Sequence, residues 1–458
     1  MALSSSTVWE IRATGNAANG GGFRLGAPGT DYSQQDAPQL TVTDAAATGT
    51  TTLTSTTGGF TAAMVGNILQ ITGGTLTAGF YEITAFTDTN TVTLDRSPGS
   101  GSGSTVRVGG ALTLSTASLA AVVAGNTVWV RNGNYTLANA TLTPPSAGTP
   151  PASIAIKGYN TVRGDLDAVN NFTNYPAITK TAGTEAIWTL SGNGTKLFNF
   201  VLDGGGLATH GVNATGNAVS VRNCRAAGCT VFGFLGNSAG SPITFLRCRA
   251  TAQNTGGGFS LTGSQARGCR ADGNPGIGFT TAASGLIVDS VADGNASHGI
   301  SAGSTTHLRG NVCHNNSVDG IRLTAAAAAM SLIENNILSS NGGYGLNYTG
   351  GGAVSEAPNC AHNAYFNNTS GERSNIPAGG GDVTLTANPF VNAAAGDFSL
   401  NNTAGGGMAC RAAGTPGVIA GGTTIGYRDI GAAQHADPPP GGQLRIFGSG
   451  VIVPGGVL

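Results

Sequence analysis

The chain has 458 residues, 9% of them charged, with 21 basic and 22 acidic side chains summing to a formal charge of -1. That balance lacks the basic surplus of a nucleic-acid binder. With 40% hydrophobic residues it is also too apolar for charge-driven disorder. Its 75 Gly have no three-residue period, which excludes collagen, and scarce Glu and Lys argue against long helices. What remains is an all-β chain of short strands and tight turns.

The N-terminus has neither a basic start nor an apolar run of signal-peptide length. No stretch approaches the roughly 18 apolar residues of a membrane-crossing helix, so no membrane insertion is expected. Residues 1–110 read as a small N-terminal β-module, with strands at 68–71, 80–83 and 91–94. The run Ser97-Pro-Gly-Ser-Gly-Ser-Gly-Ser104 reads as a turn or linker. Residues 111–435 read as a solenoid with a closing segment. Its first coils are marked by Thr127-Val-Trp-Val-Arg131 and Ile154-Ala-Ile156.

The strongest signal follows. Six segments align: Val221-Arg-Asn-Cys224-Arg-Ala226, Phe245-Leu-Arg-Cys248-Arg-Ala250, Ala266-Arg-Gly-Cys269-Arg-Ala271, Ile287-Val-Asp-Ser290-Val-Ala292, Leu308-Arg-Gly-Asn311-Val-Cys313 and Ile333-Glu-Asn-Asn336-Ile-Leu338. Each is followed by a turn and then Gly plus an apolar residue, at Gly233, Gly258, Gly278, Gly299, Gly320 and Gly345. An Asn stands four residues before the last five of these: Asn254, Asn274, Asn295, Asn316 and Asn341. The spacing of 20 to 25 residues, without a helical pattern, means stacked β-coils. One coil cannot bury its inward side chains alone. Stacking puts equivalent residues about 4.8 Å apart and pairs each interior strand above and below. The column Cys224, Cys248, Cys269, Ser290, Asn311, Asn336 is expected to be a ladder of small or amide groups. Phe234, Phe259, Phe279, Ile300, Ile321 and Leu346 are expected to form an apolar stripe.

Downstream, the run 325–329 reads as a loop or short insertion. Asn388-Pro-Phe-Val391, Asp397-Phe-Ser-Leu400 and Asp429-Ile-Gly431 read as the closing segment. Residues 436–458 form a tail. In it a Pro/Gly spacer, Asp437 to Gly442, precedes Leu444, Ile446, Phe447, Val451, Ile452 and Val453. These apolar residues are candidates for an assembly contact with a neighbouring subunit. The seven cysteines are an odd number, start only at Cys224, and show neither CxxC nor zinc spacing. Reduced thiols and no metal or other cofactor are expected.

The Asn-x-x-x-Gly-apolar units and the Asn311/Asn336 positions resemble the right-handed parallel β-helix superfamily, that of pectate lyases and many phage tailspikes. Asn19-Gly-Gly-Gly22, Asp31-Tyr-Ser-Gln-Gln35 and Val65-Gly-Asn-Ile-Leu-Gln-Ile71 resemble N-terminal segments of phage β-helix proteins. The usual Ser-Pro-Ala run after Asp-Phe-x-Leu is absent here. The resemblance implies a right-handed parallel β-helix and, for phage members, a homotrimer.

Three positions after the ladder column stand Asp272, Asp293 and His314, expected to face outward on adjacent coils about 5 Å apart. Two carboxylates so spaced suit retaining glycoside hydrolysis. Arg225, Arg249 and Arg270, two positions earlier, would hold an anionic glycan. Turn preference of Asp and plain charge pairing explain the same residues without catalysis. His298 and Asp319 share another column beside the turn Gly, and Gly236-Asn-Ser238-Ala-Gly240 matches GxSxG by glycine abundance alone. The favoured reading is a non-enzymatic structural protein of a bacteriophage virion surface: a capsid decoration, tail fibre or spike, touching other virion proteins and a host surface glycan. It reconciles a chain made in the host cytoplasm with an exterior suited to life outside it. A polysaccharide-cleaving tailspike-like enzyme and an extracellular filament subunit are the alternatives.

Overall fold

The computed structural model describes residues 3–145, 152–167, 171–324, 331–350, 359–416, 427–434, 446–447 and 451–452. The chain is all-β, a parallel β-solenoid of about nine turns with a small β-barrel near its N-terminus. It divides into two compact units, 1–255 and 256–458.

In the first unit, six antiparallel strands close the barrel: Leu40–Thr48, Thr52–Thr54, Ile68–Ile71, Gly79–Asp88, Thr91–Leu94 and Ser100–Val108. Alternation puts Val42, Leu53, Leu69, Ile83, Val92 and Val106 in its core around Phe60. The stretch expected as a linker is thus largely strand. Val106 and Val108, both fully buried, anchor Ser100–Val108, and its Gly/Ser half pairs with Leu40–Thr48. Thr7–Ile11 lies outside the barrel. It pairs antiparallel with Gly22–Arg24 and parallel with Thr127–Arg131, so the chain's first strand is the first rung of the solenoid. Ala155–Tyr159, Lys196–Asp203 and Ser220–Ala227 follow in parallel register, as the early-coil motifs predict.

The coil geometry is clearest in the second unit. Leu286–Val288 leads to Asp289 at φ 51°, then to buried Ser290 and Val291–Asp293. Gly294 at φ 61° and buried Asn295 make the next corner. Each ladder residue therefore follows a left-handed residue that bends the chain between two strands. Asn223, Arg247, Asp289 and Asn335 take that conformation, and Gly268 and Gly310 occupy the same place at no steric cost.

Both ladders are saturated with hydrogen bonds. Asn316 Nδ2 donates to Asn341 Oδ1 at 3.0 Å and to Ala292 O at 3.1 Å. Its Oδ1 accepts from Asn295 N and Asn295 Nδ2. The Asn311–Asn336 ladder extends to Asn363 and ends on Asp382, whose carboxylate accepts from Asn363 N at 2.8 Å. The expected ladder and stripe residues are buried throughout, and the Phe259 and Phe279 rings stack at 4.8 Å. Asn254 departs from expectation: it is exposed, and Gln253 takes the buried place, accepting from Cys229 N at 2.8 Å. Gln253 stands five residues after Cys248, as Asn274 stands after Cys269, so the ladder keeps its register and the turn before Gly258 is one residue longer.

The closing strands Phe390–Asn392 and Asp397–Leu400 pair antiparallel. In the tail, Ile446–Phe447 pairs with Val451–Ile452 as a hairpin. Leu444, Val453, the Asp437 to Gly442 spacer and the run 325–329 lie outside the described residues.

Candidate functional site

The predicted acid column exists. Strands Arg270–Asp272, Val291–Asp293 and Val312–His314 stack in parallel, with Asp272 opposite Asp293 and Asp293 opposite His314. The column points away from the solenoid interior but does not meet open solvent. On the same outer face, Val291, Val312, Ile337 and Ala364 lie in one register line. With Phe390, Phe398, Leu400, Cys410 and Ile430 they form a second core. The closing segment is thus packed onto the face expected to be exposed.

Under that roof the charges satisfy one another. Arg270 Nε lies 3.2 Å from Asp272 Oδ1 and its Nη2 3.2 Å from Asp293 Oδ2. His314 Nδ1 lies 2.9 Å from Asp293 Oδ1. Arg270 Nη1 donates to Gly396 O at 3.0 Å, and its guanidinium stands 5.4 Å from the Phe398 ring centroid. Phe390 and Phe398 both meet the His314 ring edge-on. Partial burial of these charges is tolerated because Arg270 pairs with both carboxylates. Chemically this cluster ties both carboxylates to Arg270 and holds a segment in place.

The other predicted residues fall elsewhere. Arg225 and Arg249 stand in register on adjacent strands of the first unit, and the Arg225 Nε is buried without a partner. His298 Nδ1 lies 3.3 Å from Asp319 Oδ2, both nearly inaccessible. Asp319 also accepts from Tyr344 N at 2.8 Å and Asn347 Nδ2 at 2.9 Å, so the pair braces a turn. Ser238 spends its hydroxyl on Ser241 O at 2.7 Å.

One polar constellation in the first unit touches the sequence motifs only at Asp31, the start of Asp31-Tyr-Ser-Gln-Gln35. Glu10, in the strand Thr7–Ile11, is fully buried. It accepts from the Tyr159 hydroxyl, from Arg12 Nε at 3.0 Å and from Arg163 Nε at 2.9 Å. Arg163 continues to Asp31 at 2.9 Å and Arg12 to Asp36 at 3.2 Å. Burial and the Glu10 charge push the Tyr159 hydroxyl well above the usual tyrosine range.

Over this buried base lie three adjoining clefts. One of about 390 Å³ is lined by Thr14, Asn16, Asn19, Asp36, Thr41 and Arg107 among others. A second, about 340 Å³, shares Thr14 and Asp36 and adds Arg12, Arg131, Asn132, Asn160 and Thr161. A third, about 190 Å³, shares Arg12 and reaches Asn134, Tyr135 and Thr136. Burial alone would raise the Asp36 carboxyl. Hydrogen bonds from Thr14 and Arg12 and the charges of Arg12 and Arg131 outweigh it and hold it below the usual carboxylate range. The lining residues span some 150 positions, so no local spacing could signal them. The one sequence hint is Glu10-Ile-Arg12, a charge inside a strand and another just past its end in a chain poor in charge.

The family model described as the right handed beta helix region matches residues 210–370. The solenoid is a right-handed parallel β-helix. Among solved structures, this β-helix chain is similar to pectate lyase Pel9A at 17% identity and TM-score 0.47, over 71% of this chain and 92% of that one. It is similar to ORF18 of Geobacillus virus E2 at 10% identity and TM-score 0.37, over 57% of this chain and 52% of that one. It is also similar to the catalytic domain of a GH87 alpha-1,3-glucanase at 9% identity and TM-score 0.34, over 76% of this chain and 98% of that one. These are likenesses of fold. No curated protein matches the sequence.

Proposed function

We propose that this β-helix is a non-enzymatic structural protein of a bacteriophage virion surface, a capsid decoration, tail fibre or spike. On this reading it assembles as a homotrimer, contacts other virion proteins and meets the host surface. The observation that supports it best is the fate of the acid column. Asp272, Asp293 and His314 are tied to Arg270 and covered by Phe390 and Phe398, so the face that would cleave a glycan is used to hold the closing segment. A neutral chain with 9% charged residues also suits a particle exterior. Mass spectrometry of purified virions tests the placement: the chain is expected among the particle proteins, and its absence there overturns the reading. Incubation with host capsule or lipopolysaccharide tests the alternative. Oligosaccharide release that disappears in Asp272→Asn or Asp293→Asn would make the chain a polysaccharide-cleaving enzyme instead.

A further inference from the structure

Eight times in this chain a side-chain amide or carboxyl stands directly before a glycine: after Asn19, Asn132, Asn193 and Asn341, and after Asp203, Asp272, Asp293 and Asp319. Such a junction can rearrange, because glycine has no Cβ to hinder its own nitrogen. The Gly nitrogen attacks the γ-carbon of the preceding residue, a succinimide ring closes, and ammonia leaves from Asn or water from Asp. Water then opens the ring at either carbonyl to give aspartate or isoaspartate. The attack needs an N–H free to lose its proton and turn toward the side chain. Seven of the eight glycines lack that freedom. Gly20 N donates to Gly109 O at 2.8 Å, Gly194 N to Asn217 O at 2.8 Å and Gly342 N to Asn316 O at 2.9 Å. After the four Asp residues the acceptors are Ala227 O, Asp293 O, His314 O and Tyr344 O, at 2.8 to 3.0 Å. All but the Gly20 bond run from coil to coil, so the stacking that builds the solenoid also holds these junctions closed.

Gly133 is the exception. It stands at the corner between the strands Thr127–Arg131 and Asn134–Ala138. Asn132 N donates to Tyr159 O at 2.6 Å and Gly133 O accepts from Ala177 N at 2.9 Å, but the Gly133 N–H donates to nothing among the described residues. Asn132 is exposed, whereas Asn19 and Asn341 are fully buried. Its side chain makes one hydrogen bond among the described residues, from Nδ2 to Asn160 Oδ1 at 3.2 Å. We propose that Asn132-Gly133 is a site of spontaneous deamidation, which turns a neutral corner of the first unit into a carboxylate beside Arg131. The N–Cγ bond forms as the Cγ–Nδ2 bond breaks, ammonia carries off the amide nitrogen, and water supplies the new oxygen; nothing is oxidised or reduced. Either product loses the Nδ2 donor to Asn160 and gains one negative charge next to Arg131. The isoaspartyl product also adds a carbon to the main chain between two strands held in parallel register by Ala155–Tyr159 and Ala177–Ala182. The site is independent of where the protein works.

The test incubates the full chain at mildly alkaline pH, once folded and once in denaturant. Each sample is then digested with pepsin in acid, where the reaction is slow, and mapped by mass spectrometry. In the folded protein the mass gain of amide-to-acid conversion is expected at Asn132 at least about tenfold faster than at Asn19, Asn193 or Asn341, because each of those must first open a hydrogen bond of the folded chain. Chromatography should resolve both an aspartyl and an isoaspartyl product. In denaturant the four sites should convert at comparable rates, since all four are then plain Asn-Gly. Asn132→Gln, which must close a larger ring, should remove the fast conversion from the folded protein. Folded protein in which Asn132 converts no faster than the other three overturns the proposal. So does a preference for Asn132 that persists unchanged in denaturant, which would owe nothing to the free N–H of the folded corner.

Discussion

At the residue scale, the ladder shows why a cysteine can stand where other coils use serine or asparagine. Cys224, Cys248 and Cys269 are buried thiols, as the sequence reading expects, and so are the other four. Small, buried and weakly polar, they behave as packing groups. Burial pushes the thiols of Cys229, Cys360 and Cys410 up to about 12, so little thiolate exists at neutral pH. Native protein should resist iodoacetamide, and unfolding without reductant should expose seven reactive thiols by mass spectrometry; any cysteine blocked as a disulfide contradicts this. Asp319 makes a pH prediction. Burial would raise its carboxyl, but bonds from His298, Asn347 and the Tyr344 N–H outweigh it and hold it below the usual range. A carboxyl depressed by folding stabilises fully above its unfolded value, about 3.9, and loses that contribution as pH falls through the folded value. Asp319→Asn should therefore be less stable than the parent at pH 7, with the gap narrowing below about pH 4. A gap constant from pH 7 to pH 3 in denaturant melts would show that Asp319 contributes only shape.

At the element scale, the ladder and the roof differ in how far they can be read from sequence. The Asn316 column repeats every coil, so its identity is visible in spacing alone. The preceding left-handed residue is visible only afterwards, because Asn, Asp, Arg and Gly share that position. Asn316→Ala should cost at least about 3 kcal/mol, since Ala292 O, Asn341 Oδ1 and two Asn295 donors lose a partner in the interior. An equilibrium unfolding shift below about 1 kcal/mol would mean that the neighbouring coils close the gap themselves. The roof was hidden because it joins strands near 291–364 to a segment near 390–430, and no local period links them. Its trace was present all the same: an outer column reading Val291, Val312, Ile337, Ala364 is too apolar to face water. Phe398→Ala removes a ring that touches His314, Phe390 and Arg270. A loss of about 3–5 kcal/mol is expected, concentrated in the closing segment. Hydrogen exchange should rise at 390–400 and stay unchanged in the Asn316 ladder; uniform protection loss would mean that roof and coils unfold together.

At the scale of the whole molecule, the coil period made the β-helix legible, while the barrel was legible only as scattered strands and the clefts of the first unit not at all. Clefts assembled from Arg12, Asp36, Arg107, Arg131 and Asn160 exist only once the barrel and first coils have folded. The filament alternative bears on the solenoid's exposed strand edges, since a parallel β-helix with open ends would add copies of itself. Covering is present at the first described rung and at one ladder of the last coils, while Gly371–Ser374 and Val383–Thr384 each pair on one side only among the described residues. In the first unit Thr7–Ile11 runs beside Thr127–Arg131 and is itself covered by Gly22–Arg24, with Glu10 locked beneath Arg12 and Arg163. In the second unit the Asn363 ladder ends on Asp382, which also takes Arg373 at 3.0 Å and Gly379 N at 2.9 Å. A charged carboxylate with three partners at the end of the ladder disfavours the addition of another coil there. Exposed large apolar side chains such as Leu25, Val162 and Val391 are scattered residues of the kind that monomers and closed oligomers tolerate. Light scattering coupled to size exclusion is therefore expected to give a finite particle, a trimer on the proposed reading, whose mass does not grow with concentration. A mass that climbs without limit, or fibres seen by electron microscopy, would restore the filament reading; a stable monomer at micromolar concentration would remove the trimer while leaving the covered first rung and the Asp382 ladder end intact.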